Sequence, residues 1–111
     1  TMQAVKVASG DMVDYTPSSD VAAGDVVVQG DLVGVALTAI TAGAKGALAV
    51  AGVFDVAKAA ATVFSAGAKV YWDDTNKLAV TTDGTGANKL LGKAVAAAGN
   101  GPTTVRVRLS Q

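Results

Sequence analysis

The 111-residue chain carries nine basic and nine acidic side chains, for a formal charge of zero, and has no cysteine and no histidine; this excludes disulfides, thiolate or imidazole metal sites, and any nucleophile or base built on those residues. Its cations are scattered along the chain, so the concentrated basic face that phosphate binding needs is not expected, and nucleic acid is set aside as a partner. Half of the residues are hydrophobic, mainly alanine and valine, and the length suits a single β domain over residues 1–111 with one thin core.

All nine acidic residues are aspartate, a turn former, and glutamate is absent, so strands and turns are favoured over helices before any pattern is read. Val5-Lys6-Val7 alternates in the β manner, and a turn at Ser9-Gly10-Asp11 leads to a second alternating run, Met12 to Thr16. Residues 1–8 also read as an N-terminal arm, in which Met2, Gln3, Val5 and Val7 can add a strand to a neighbour's sheet edge or pair within their own domain. Val26-Val27-Val28-Gln29 is a β-branched run expected to be a buried strand. Gly30-Asp31 is a hairpin-like pair, and Leu32 to Leu37 follows with Gly34 in mid-strand, the mark of a bulge or a close backbone approach.

Ala47 to Phe54 is a further apolar strand candidate. Val56 to Phe64 is the one segment that invites a helix, and a single short turn is expected there because short helices are marginal. The β pattern restarts at Lys69-Val70-Tyr71-Trp72, turns at Asp73-Asp74-Thr75-Asn76 and returns over Lys77 to Thr82. Residues 83–88 form a polar, glycine-rich loop, after which Leu90 to Val95 and Thr104 to Leu109 read as strands flanking the loop at 99–102. In the last strand Val105, Val107 and Leu109 point inward, and Arg106 and Arg108 outward. Ala22 to Asp31 echoes Ser65 to Asp74, each followed later by Leu-x-Gly. Either the chain holds two related β units, the second with a hairpin inserted at about residues 75–89, or similar composition has produced similar runs. The fold class is therefore all-β with at most one short helix, a β barrel or sandwich of short strands.

No motif in this frame carries chemistry. Gly86 to Ala94 resembles a phosphate-binding loop but has five residues between its glycines instead of four, ends in Ala94 where Ser or Thr holds magnesium, and runs into a strand. The aspartates of 73–76 and 83–85 lack calcium-loop spacing and read as turn residues. No catalytic residue, cofactor, metal or small-molecule substrate is expected. No apolar run approaches the roughly 20 residues of a membrane span, and the N-terminus lacks a signal-peptide core; the protein is expected to be soluble, made inside the cell and free of membrane contact. For binding, Tyr71-Trp72 reads either as two faces of one strand or as an interface anchor. Arg106 and Arg108 read either as a solvated strand face or as contacts to an acidic partner.

Gly52-Val53-Phe54-Asp55-Val56-Ala57-Lys58, Ala66 to Asp74, Leu91 to Ala96 and the ending Val105 to Leu109 together resemble the DUF2190 family of phage proteins over most of the chain. The G-V-F-x-x-x-K segment and the K-V-Y-W-D-D hairpin are the most specific parts. Members are often labelled recombinases, a label that the failed phosphate loop contradicts here. The resemblance implies a capsid decoration, or cement, protein of a tailed bacteriophage. It would be made in the host cytoplasm and bound to the major capsid protein on the virion surface, as a homotrimer at three-fold positions. The competing readings are a tail or host-surface adhesion module and a nucleotide-dependent DNA enzyme.

Overall fold

The computed structural model describes residues 3–4 and 10–110. The strand read at Val5-Lys6-Val7, and most of the arm at residues 1–8, lie outside the described residues. Strands β1 (Met12–Tyr15), β2 (Val26–Gln29), β3 (Leu32–Ala36) and β4 (Gly46–Ala49) form one antiparallel sheet in the order β1-β4-β3-β2. Strands β5 (Val53–Ala57), β6 (Lys69–Asp73), β7 (Leu78–Val80), β8 (Lys89–Ala94) and β9 (Thr104–Leu109) form a second, in the order β5-β9-β8-β6-β7. The all-β expectation holds, and the two sheets pack as a sandwich; neither closes into a barrel. One parallel bridge, Lys58 to Ala79, brings the two edges of the second sheet together without extending into a ladder.

One expectation is corrected. The apolar run from Ala47 to Phe54 is not one strand: it breaks after Ala49, and Gly52, at φ 117°, redirects the chain from the first sheet into the second. That backbone angle suits glycine because it has no Cβ to clash. The segment 56–64, by contrast, holds the single short turn expected of it and no helix. Val56 and Ala57 complete β5, and Ala59 to Thr62 form one hydrogen-bonded turn. Alanine's helix propensity yields here to strand pairing with β9 and to burial of Phe64, which is 1% exposed. The only helical turn among the described residues is a 3-10 turn at Gly84–Gly86.

The internal echo is a structural duplication. Without β7, both sheets have one topology, in which the first strand of a unit pairs with its last, the last with the third and the third with the second. The details recur as well. Val21 and Ile40 exchange two backbone hydrogen bonds, as do Phe64 and Ala98. Gly24 donates to the Ala36 carbonyl while Ala36 donates to Asp25; Gly67 donates to Ala94 while Ala94 donates to Ala68. Gly43 donates to Pro17, and Gly101 to Ala60. Strand β7 and the loop after it are the insertion in the second unit.

The main core lies between the sheets, where Val33 and Val35 of β3 join Val56, Phe64, Val70, Trp72, Leu91, Val105, Val107 and Leu109. Val26 and Val28 of β2 pack against it and are only half-buried, because β2 is an edge strand. The first sheet keeps a second small core on its other face, built on Ala36, Ile40 and Leu48. Large side chains are few, and each contributes about 1.5–3 kcal/mol on burial. Polar ties therefore matter here.

The strongest such tie is Lys58, only 2% exposed, which closes the G-V-F-x-x-x-K segment. Its Nζ donates to the carbonyls of Thr62 (2.7 Å), Gly99 (3.1 Å), Ala59 (3.2 Å) and Ala60 (3.3 Å). No carboxylate among the described residues accompanies it; the carbonyl dipoles face the ammonium instead. Two loops distant in sequence are thus fastened to one ammonium group.

Candidate functional site

Strand alternation gives the second sheet an outer face, opposite the core, and the structure gathers three of the sequence-predicted residues there. Arg106 and Arg108 are exposed on β9, and Tyr71 is half-buried on β6, opposite Val80 and Leu90. Trp72, next in the chain, faces inward. It is 5% exposed, lines a cleft of about 420 Å³ between β2 and β5, and donates its indole N–H to Asp74 (3.1 Å). Of the two readings of Tyr71-Trp72, Trp72 therefore fits the core. Gln3 is exposed; Met2, Val5 and Val7 lie outside the described residues.

Arg106 is not available to a partner without cost. It sits directly opposite Asp55 on β5 and donates from Nε (2.9 Å) and from Nη2 (3.2 Å) to the two carboxylate oxygens. The hydrogen bond from Arg106 holds the Asp55 carboxyl below the usual carboxylate range, and Asp55 in turn raises Arg106. Arg108 has no such partner among the described residues. Its cross-strand neighbours are Lys93 on one side and Val53, 55% exposed, on the other. Lys93 stands opposite Lys69 in turn. Lys69, Lys93 and Arg108 thus form one basic row across β6, β8 and β9.

Sequence reasoning missed Lys69 and Lys93. They lie far apart in the chain and look scattered, and only the β6–β8 register brings them together. The signal was present in the echo, since Lys69 and Lys93 occupy the places of Val26 and Val35, themselves a cross-strand pair.

The segment resembling a phosphate loop is strand β8 from Lys89 onward. Lys89 pairs with Asp31 of the first sheet at 2.8 Å. The turn aspartates use their oxygens locally: Asp73 accepts from the backbone N–H groups of Thr75 and Asn76 and from the Asn76 side chain, and Asp83 accepts from Thr85.

These contacts make the stability profile with pH predictable. Lys89 lowers the Asp31 carboxyl, the Asn76 side chain lowers Asp73, and Lys77 lowers Asp74, alongside Asp55. Carboxyls more acidic folded than unfolded stabilise the fold above the unfolded value of about 3.9, and that contribution is lost as pH falls through the lower folded values. With no histidine, no side chain of unperturbed pKa titrates between about pH 5 and 8. The thermal midpoint should stay flat across that range and fall below about pH 4; a step near pH 6.5 in a calorimetric series would contradict this account.

A family model described as phage cement protein matches residues 7–109. No curated protein and no solved structure matches the chain.

Proposed function

Because the chain belongs to the phage cement protein family, which decorates the capsid, we propose that it binds the major capsid protein on the outside of the shell. There, as a trimer at three-fold positions, it stabilises the lattice without catalysing a reaction. The observation that carries this reading is the match of the family model across nearly the whole chain. The fold suits the role. Its short strands leave many loops and the outer face of the second sheet free for contact, and its thin aliphatic core gains from association that buries on the order of 1,000 Å² or more. A trimer that engages several shell subunits at once also converts weak single contacts into firm attachment, since later contacts form at high effective concentration. We assign the shell contacts to the arm at residues 1–8, whose sequence has the alternation needed to add a strand to a sheet edge.

Purified protein mixed with expanded, undecorated capsids of the cognate phage is expected to bind saturably and to raise the temperature at which the shells rupture. Absence of binding to such shells would overturn the proposal. Labelling of the tail instead of the head, in electron micrographs of virions, would favour an adhesion module.

A further inference from the structure

The cations of the described residues fall into two groups. Lys45, Lys77, Lys89 and Arg106 each pair with an aspartate, and Lys58 is buried against carbonyls. The others, Lys69, Lys93 and Arg108, have no carboxylate partner among the described residues, and all three stand in the single cross-strand row on the outer face of the second sheet. Like charges directly opposite one another destabilise a sheet, so the row costs the isolated fold stability. The duplication shows what else the position accommodates. In the first unit the same pair is Val26 and Val35, turned against the core between the sheets. One copy of this face is apolar and covered; the other is basic and open.

The opposite charge sits on the other unit. Residues 10–51 hold five aspartates against Lys45 alone, whereas residues 52–110 hold seven cations against four aspartates. Of the five, Asp14 and Asp31 are paired, while Asp11, Asp20 and Asp25 are exposed and have no cation among the described residues. Asp20 and Asp25 both lie on the connection from β1 to β2 and, among the described residues, accept from the backbone N–H groups of Ala42 and Ala22 respectively. Among the described residues the excess of acid thus falls in the first unit and the excess of base in the second, although Asp73 and Asp83 of the second unit also lack a cation.

We propose that the row of Lys69, Lys93 and Arg108 is one half of a contact between copies of this chain, the other half being the aspartate-bearing β1–β2 connection of the neighbour. Such a contact is heterologous, joining different patches on the two copies, and heterologous contacts close into rings when the rotation permits. Pairing the row with carboxylates removes the like-charge cost and leaves Val53, beside Arg108, covered. The proposal deepens the trimer proposed above and rests on that reading only for the number of copies in the ring; the association itself needs no shell.

The test uses the purified chain, with size-exclusion chromatography and light scattering across a concentration series. In 0.1 M salt, where charges are screened over about 10 Å, the chain should associate, and in 1 M salt, where screening acts over about 3 Å, the association should weaken at least about tenfold. Lys69→Glu with Lys93→Glu should abolish association, as should Asp20→Lys with Asp25→Lys. A chain carrying all four substitutions should associate again, a rescue that general misfolding would not give. A wild-type chain that is monomeric at every concentration in low salt, or a Lys69/Lys93 variant that associates unchanged, would overturn the proposal. A variant that associates normally but no longer binds shells would instead assign the row to the capsid. Charge-dependent association without any binding to shells would leave this contact standing and remove the cement reading.

Discussion

Lys58→Met is expected to destabilise the fold by about 3 kcal/mol and to lower the thermal midpoint by roughly 15 °C. Methionine keeps most of the apolar stem and removes the ammonium, so the loss reports the polar tie and not a cavity. Four backbone carbonyls, those of Ala59, Ala60, Thr62 and Gly99, then face a group that cannot donate. Groups left without a partner in a buried site cost about 1–3 kcal/mol each before the loops relax toward water. The effect should be local at first: amide exchange at Thr62 and Gly101, whose N–H groups donate within these loops, should accelerate more than exchange in β8. Midpoint unchanged within about 2 °C would show that the loops hold without the ammonium. A denaturant series gives the same comparison if the slope stays constant while the midpoint moves.

Gly92→Ala should cost still more, about 4 kcal/mol, a large part of the total stability of a domain this size. A Cβ at Gly92 would fall on the backbone of the partner strand, against the carbonyl of Arg108 and the Cα of Leu109. Backbone cannot rotate away as a side chain does, so β8 and β9 must separate where Gly92 pairs with Leu109. The corresponding glycine of the first unit, Gly34, supplies the control. Its added Cβ would meet the Leu48 Cβ at 2.9 Å and the Ala49 carbonyl oxygen at 3.1 Å, a clash that smaller shifts relieve. Gly34→Ala is therefore expected to be destabilising but milder, and urea melts of the two variants should keep that order. Equal or reversed losses would mean that the two units do not share the constraint.

Much of this fold was legible because alternation over short runs survives in the sequence. β9 is the clearest case, with Val105, Val107 and Leu109 buried and Arg106 and Arg108 exposed as its pattern requires. The hairpin of β6 and β7 was legible from Asp73 to Asn76, where aspartate and asparagine form the turn they favour. The repeat was visible as a possibility, but only paired hydrogen bonds such as those of Gly24 and Gly67 turn a similarity of composition into a shared topology. What sequence hid were contacts set by register between distant segments. Lys58 looked like one more cation in an alanine-rich stretch, yet it is the best-coordinated charge among the described residues. Lys69 and Lys93 looked unrelated, because nothing local announces that two strands will place them side by side. Arg106 reads from sequence as a solvated strand face or as a contact to an acidic partner, and nothing local announces that the strand paired with it brings Asp55.

The duplicated topology also dictates when folding can finish. In each unit the first strand waits for the last, since Met12 pairs with Ala49 and Val53 with Arg108. Neither sheet can be completed by neighbours in sequence alone, and each closure must meet the loop entropy of the whole unit before its contacts stabilise anything. The first sheet can assemble once β4 exists, but Val33 and Val35 stay uncovered until the second sheet forms against them. That second sheet is completed by β9, at the far end of the described chain. Until β9 has been made, a nascent copy therefore holds an apolar face without its cover, the kind of surface through which incomplete chains associate.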